Sequence, residues 1–286
     1  MPDKRNTVEQ VKLYDDSGRL IYSGAAYFVG IADENEYYMR HGQGTEYCDT
    51  GWRYEGSFVD DERSGQGKLF DADGALRFEG VWKHDKRNGY GTSYYTDGRP
   101  KYEGRWKDDK RNGPGTCYYL AGRRYEGEWK DDKRDGPGKF YYLDDSLAYE
   151  GEWKDDKRNG QGKSYRPDKS LSYEGGWKDG KRAGPGKSYY LDGILEYEGE
   201  WEDGKRAGPG KSFYADGSFE YEGEWRDGKR AEHAVPPHSA AGGDAVSGKD
   251  LMGFQPSLED VDADGLAGDD ADQMTAELPA GLPAGG

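Results

Sequence analysis

Aromatic, glycine and charged positions follow one another in this chain in a pattern that repeats every 23 or 24 residues. Each regular repeat opens with an aromatic residue, Glu and Gly, and most carry Trp two positions after the Gly. Such a regular period indicates a repeat array, which presents the same side chains many times over. The opening aromatic residues are Tyr54, Phe78, Tyr102, Tyr125, Tyr149, Tyr173, Tyr197 and Tyr221.

One repeat shows how the pattern divides between two faces of a strand. Side chains alternate between the faces, so Tyr125, Gly127 and Trp129 share one face. Glu126 and Glu128 then share the other. The spacing therefore predicts a strand with one aromatic and one acidic face.

Turn residues predict that each such strand belongs to a hairpin. A charged turn is expected over residues 130–134, followed by a second strand at residues 139–142. Other repeats carry Asp203-Gly204 after the Trp, and this dipeptide favours tight hairpin turns because both residues tolerate positive φ. The prediction is an all-β chain, an antiparallel β-meander of hairpins about 24 residues long.

Small residues accompany the glycines of the second strand. Cys117 and Ser188 each stand two positions after a glycine and share its face. We expect these small positions to leave room for the Trp rings to lie across the sheet. Cys117 occupies a position that is Ser in most repeats, so packing explains it better than catalysis.

The run Tyr-Glu-Gly-Glu-Trp through Gly-Pro-Gly-Lys at residues 197–211 closely resembles the MORN (membrane occupation and recognition nexus) repeat family. The resemblance covers about residues 7–230. It implies an elongated, twisted single-sheet array or solenoid, used as a scaffold, a protein-binding module or a phospholipid-binding module.

Departures from the repeat suggest three regions. Residues 1–53 hold an N-terminal half-repeat and an atypical capping repeat, with an insertion over residues 25–38 that is read as a cap or as a partner-specific loop. Residues 54–230 are the regular array. In the last repeat Glu232 and Ala234 replace the two glycines, so we expect an unpaired edge at residues 221–225 that binds a partner or forms a homodimer.

Charge separates the third region from the array. Of the formal net charge of -16, the eleven acidic residues and single lysine of residues 231–286 contribute -10. Composition predicts an acidic disordered tail there. Residues 260–265 match half of a calcium loop but lack its final Glu, and residues 252–254 are a candidate docking motif. The negative balance disfavours nucleic acid as a partner.

A Lys-Arg pair after each Trp forms the first candidate surface. Pairs at successive repeats would line one edge about 10 Å apart and could bind a partner or anionic phospholipid such as phosphoinositide. Neighbouring Asp residues reduce the charge of each turn, which favours an ordinary solvated edge. The residues are Lys86, Arg87, Lys110, Arg111, Lys133, Arg134, Lys157, Arg158, Lys181, Arg182, Lys205 and Arg206.

The aromatic stripe is the second candidate surface. These residues must supply most of the core, and any that stay open would form a partner-binding groove. They are Tyr102, Trp106, Tyr125, Trp129, Tyr149, Trp153, Tyr173, Trp177, Tyr197, Trp201, Tyr221 and Trp225.

Catalytic and metal-binding patterns are weak. The four histidines have no ligands at metal-binding spacing, and the Gly-x-Gly segments lie between strands instead of opening a helix. We expect no cofactor, no metal and no enzyme activity. The sequence favours a cytoplasmic scaffold for other proteins in a cytoskeletal, ciliary or membrane-proximal assembly; the alternatives are peripheral lipid binding and a non-catalytic subunit of an enzyme complex.

Overall fold

A computed structural model describes residues 7–32 and 35–231, and every regular element within them is a β-strand. The predicted tail beyond Ala231 lies outside the described residues, and so do its calcium half-loop and its docking motif. The described residues divide into two compact units, one ending at Lys133 and one beginning at Arg134.

The first unit is a meander of ten strands in which each strand pairs antiparallel with the next. Its strands are β1 (Val8–Tyr14), β2 (Leu20–Ala32), β3 (Asn35–Tyr47), β4 (Arg53–Val59), β5 (Glu62–Phe70), β6 (Leu76–Lys83), β7 (Lys86–Tyr94), β8 (Pro100–Lys107), β9 (Lys110–Tyr118) and β10 (Arg124–Lys130).

The second unit follows the same rule. Its strands are β11 (Lys133–Tyr141), β12 (Leu147–Lys154), β13 (Lys157–Tyr165), β14 (Leu171–Lys178), β15 (Lys181–Tyr189), β16 (Leu195–Glu202), β17 (Lys205–Phe213), β18 (Phe219–Arg226) and β19 (Lys229–Arg230). The predicted all-β class and the hairpin meander are confirmed.

Two kinds of turn alternate along the meander. The turn after each Trp has two residues, both at positive φ, as in Asp203 (49°) and Gly204 (83°). The other turn has three residues and places only its last residue at positive φ, as in Gly98 (84°). Asp97 accepts a hydrogen bond from the backbone N–H of Arg99 at 3.0 Å and so closes that loop. Both turn types suit the twist of antiparallel hairpins.

The predicted charged turn over residues 130–134 is wrong in its extent. Only Asp131 and Asp132 form the turn, and both adopt positive φ (48° and 69°). Lys133 and Arg134 already belong to β11, which begins six residues before the predicted Lys139. Because strand side chains alternate, Lys133 and Arg134 point to opposite faces.

Tyrosine, instead of the predicted tryptophan, covers the glycines of the sheet. A Cβ atom built on Gly115 would lie only 2.2 Å from the hydroxyl oxygen of Tyr102. The Trp of the next repeat instead donates its ring N–H to the carbonyl oxygen of the same glycine, Trp129 to Gly115 at 3.3 Å. The glycine pair thus lets a Tyr ring lie flat on the backbone.

Residues 25–38, predicted as an insertion, extend the β2–β3 hairpin. The pairing continues past the position where other hairpins turn, through Phe28 opposite Tyr38 to Ala32 opposite Asn35. At its base, Ala26 stands two positions after Gly24, where most repeats carry Trp, and it is fully buried. The extension is thus continuous with the sheet.

The last hairpin is shortened. Strand β19 has only two residues and pairs with Trp225 and Arg226 alone. Glu224 also accepts a bond from the Ala231 N–H at 2.8 Å, and within the described residues the rest of β18 pairs only with β17, with Phe219 47% exposed.

Candidate functional site: the two faces of the sheet

The aromatic stripe forms a continuous buried layer on one face of each unit. In the first unit the Tyr102 ring meets Trp106 and Trp129 edge to face, with centroids 5.1 and 5.5 Å apart. Edge-to-face packing places the positive ring edge on the negative ring face. All the predicted stripe residues are buried except Tyr221, which is half-buried on the last full strand. This face is a core.

The arginine of each Lys-Arg pair covers this aromatic layer. The Arg111 guanidinium lies 4.0 Å from the centre of the Trp129 ring, and the residue is only 4% exposed. Arg158 stacks on Trp177 at the same distance. A planar guanidinium suits such stacking and keeps its charge when it is buried.

An aspartate of the following turn holds the arginines in the middle of the array, namely Arg87, Arg111 and Arg134. Arg111 donates its backbone N–H and its Nε–H to Asp132 Oδ1 at 2.8 and 3.2 Å, and its Nη2–H to the Asp132 carbonyl at 2.8 Å. Arg134 makes the same three bonds to Asp156. Where Gly180 replaces the aspartate, Arg158 donates its Nη2–H to the Gly180 carbonyl at 3.1 Å. The second turn residue therefore joins neighbouring repeats.

The predicted Lys-Arg edge is thus divided by the sheet. The lysines are exposed, whereas the arginines pack on the aromatic face with burial that ranges from nearly complete to partial. Lys181 and Lys205 approach turn aspartates of the next repeat, Asp203 at 3.6 Å and Asp227 at 3.2 Å. Binding by this edge stays a prediction that concerns the lysines.

The opposite face carries a ladder of paired charges, which the sequence analysis did not identify as a surface. In three repeats of the second unit the glutamate after the repeat tyrosine faces lysines of both neighbouring strands, as Glu174 faces Lys163 and Lys187. Lys163 approaches Glu174 at 3.4 Å, and Tyr189 donates its hydroxyl to the same carboxylate at 2.6 Å. Hydrogen bonding by Tyr189, assisted by the lysines, lowers the pKa of Glu174 below its ordinary 4.5.

The first unit has the same ladder with fewer lysines. Lys68 pairs with Glu79 at 3.3 Å, and Tyr94 donates to Glu79 at 2.5 Å. That hydrogen bond is the largest cause of a lowered Glu79 pKa. Burial and the same bond raise the pKa of Tyr94 to about 12.

At the next ladder position the lysines are absent. Glu103 faces Thr92 on β7 and Thr116 on β9. It accepts a hydrogen bond from the Tyr118 hydroxyl at 3.1 Å. Within the residues that the structure describes, Glu103 forms no ion pair.

A groove of about 1250 Å³ lies on this face of the first unit, and Glu103 lines it. Its floor includes the backbone of glycine pairs such as Gly104 and Gly115. Pro114 and the exposed Tyr90 also line it. The groove of the first unit therefore lies on the face opposite the aromatic stripe.

Metal-ligand clusters and membrane-spanning helices are not found in the described part of the chain. No group of three or more His, Cys, Asp and Glu residues there is placed to hold a metal ion. No helix there is long and apolar enough to span a bilayer. Cys117 is buried and accepts a bond from Arg111 at 3.5 Å, as expected for a packed small residue.

These features define a β-hairpin repeat protein with one closed aromatic face and one open charged face. The MORN repeat model matches nine segments of this sequence, and together they cover more than half of the chain. The chain belongs to the MORN repeat family. No protein of curated function matches it at a significant level. The segments are residues 36–53, 54–76, 78–98, 102–120, 125–146, 149–171, 173–194, 197–219 and 221–234.

Proposed function

We propose that this protein is a non-catalytic scaffold that binds other proteins through the open face of its MORN repeats, in a cytoplasmic cytoskeletal, ciliary or membrane-proximal assembly. The observation that carries the proposal is the groove over Gln10 to Glu128, which crosses the strands of the first unit. An extended surface of repeated side chains is typical of repeat proteins that bind partners.

Native co-purification tests this function. The full chain, tagged and expressed in its own cells, is cross-linked and purified, and partners are quantified against the chain. We expect at least one stoichiometric partner whose recovery falls when large side chains fill the groove, for example in Thr116→Trp. Recovery of no stoichiometric partner, or recovery unchanged by the groove variant, argues against the proposal.

Peripheral lipid binding is the second candidate, and the exposure of the repeated lysines favours it. Charge reversal of Lys133 and Lys157 removes positive charge from the edge without disturbing the buried arginines. If the edge binds lipid, less of this variant than of the wild type co-sediments with phosphoinositide vesicles. Neither protein co-sediments with vesicles of phosphatidylcholine alone. Equal sedimentation of the variant and the wild type excludes the edge.

Homodimerisation through the C-terminal edge is a third proposal, consistent with the same scaffold. Among the described residues, β18 is paired along most of its length on one side only, and Phe219 is exposed there. An open strand edge favours pairing with another strand. Light scattering of the full chain would show a dimer that Phe219→Lys weakens, whereas a monomer at high concentration would rule it out.

A further inference from the structure

The charge ladder itself indicates which side chain suits the position beside Glu103. Each ladder lysine approaches the glutamate of the strand that follows it, as Lys163 does Glu174 at 3.4 Å and Lys211 does Glu222 at 3.2 Å. At Glu103 both facing residues are threonines. Threonine carries no charge and is too short to replace a lysine, so the facing strands supply no cation to this carboxylate. Lys101 and Arg105, on the same face of β8, instead lie over the Tyr95 and Tyr90 rings at 5.6 and 5.0 Å.

The other ladder glutamates of the same groove already have a cation, as Glu55 has in Arg53 at 2.8 Å. Glu79 pairs with Lys68, and Glu126 pairs with Arg124 at 2.8 Å. Glu103 has only the tyrosine hydroxyl of the usual set, which leaves one carboxylate oxygen without a donor among the described residues. A charge-assisted bond from an ammonium or guanidinium group would complete it.

The surroundings of Glu103 admit an extended chain. The backbone of Gly104 and Gly115 lines the groove, which extends over several strands on either side. Ladder positions two strands apart are separated by about 10 Å, which corresponds to about three residues of extended peptide. A single carboxylate does not provide the six to eight oxygen ligands that calcium requires, so a metal ion is a poor occupant.

We propose that the gap at Glu103 receives a lysine or arginine side chain from an extended segment of a partner protein bound along the groove. This inference rests on the proposed scaffold function and specifies the chemistry of its partner. Contacts along the groove contribute most of the affinity, and the ion pair at Glu103 fixes the register of the segment. Electrostatic complementarity acts in this way at many protein interfaces.

The test uses the full chain and a fluorescein-labelled peptide of Gly, Ser and Lys, about 12 residues long so that it spans about four ladder positions. Lysine stands at every third position, and a matched peptide carries Gln instead. Fluorescence anisotropy measures both. We expect the Lys peptide to bind more tightly, and the difference to shrink as salt increases.

Two variants and one control locate the site. Glu103→Gln and Thr92→Lys should each weaken binding of the Lys peptide by about three- to five-fold, as expected for one ion pair. Thr92→Lys introduces the residue that the array carries at this position elsewhere, so the fold accommodates it. Glu174→Gln, where both facing residues are lysines, should leave binding unchanged.

Three results would overturn the inference. Equal binding of the Lys and Gln peptides removes the need for a cation, and equal weakening by Glu174→Gln shows general attraction to an acidic surface. Glu103-dependent binding of spermine as tight as that of the Lys peptide would assign the gap to a polyamine. If a stoichiometric native partner still binds Thr92→Lys, the scaffold function holds but the Glu103 site is rejected. If the Lys peptide binds and no native partner is recovered, the site holds but the scaffold function is rejected.

Discussion

The face around Glu103 and the face around Glu174 are built from the same hairpin, yet they offer a partner different chemistry. Each glutamate lies between the repeat tyrosine and a glycine, and each accepts a hydrogen bond from the hydroxyl of a neighbouring tyrosine. Around Glu174 two lysines complete the ladder, whereas around Glu103 two threonines leave it open. The fold depends on the aromatic face, so the open face can vary between repeats without changing the structure.

The largest expected effect concerns the aromatic face. Arg111→Ala should lower the free energy of unfolding by about 2–3 kcal/mol, because it removes two side-chain hydrogen bonds to Asp132 and the cover over Trp129. The backbone bond persists in the variant, so the loss comes from the two side-chain bonds and the stacking. Urea denaturation followed by Trp fluorescence measures it.

A paired arginine and a neighbouring lysine serve as controls. Arg206→Ala should lower the free energy of unfolding by about 1 kcal/mol. The Arg206 side chain is 20% exposed and lies 5.2 Å from the Trp225 ring centre. Lys110→Ala should change stability by less than about 0.5 kcal/mol, since this side chain is exposed. Equal costs for Lys110 and Arg111 would contradict the division of the Lys-Arg pair.

The second effect should be the same in both regions. Gly115→Ala and Gly186→Ala each place a Cβ 2.2 Å from a tyrosine hydroxyl, so each should destabilise the protein by about 1–3 kcal/mol. Thermal denaturation measures both, with Gly30→Ala as a control because a Cβ there meets nothing within 4 Å. A difference between the two variants would show that the tyrosines pack differently on the glycines of the two units.

The third effect distinguishes the regions by pH. Glu174→Gln should cost about 0.2–1 kcal/mol at neutral pH, whereas Glu103→Gln should cost less, because only Glu174 has lysine partners. The pKa of Glu174 is lowered in the folded state, so its contribution is fully present above pH 4.5 and disappears as pH falls through the lowered pKa. Unfolding measured from pH 7 to pH 3 should show the variant and the wild type converging at low pH.

The smallest effect should be a gain. Thr92→Lys adds a lysine between Glu79 and Glu103, so it should stabilise the fold by about 0.2–1 kcal/mol, as opposite charges on facing strand positions do. Thr92→Glu is the matched control and should destabilise it. If both variants behave alike at low salt, charge does not govern this position.

Much of the fold follows from local sequence rules. Asp203-Gly204 predicts its tight turn because both residues accept positive φ, and the period of the aromatic residues predicts the hairpins. The extent of the turn at Lys133-Arg134 could not be obtained this way. Charged residues usually mark exposed loops, and only the packed structure shows that Arg134 has an aromatic ring beneath it and an aspartate beside it.

Part of the open face could be predicted from the sequence. Alternation places Glu103 opposite the aromatic side, and the change from Lys to Thr after the glycine pair is visible at Thr92 and Thr116. Its effect is seen only in the strand register, which pairs both threonines with Glu103. Likewise, sequence predicts an aromatic ring over Gly115 but does not decide between Tyr102 and Trp129.

The bond from each arginine to the following turn gives the chain a direction during synthesis. The hydrogen bond from Arg134 to Asp156 can form only after Asp156 has been synthesised. The bond from Trp177 to the carbonyl of Gly162 likewise needs Trp177. A repeat therefore becomes complete only after the next one has left the ribosome. Co-translational folding of such a chain proceeds one repeat behind its synthesis, and a chain stopped early always ends in one unfinished repeat.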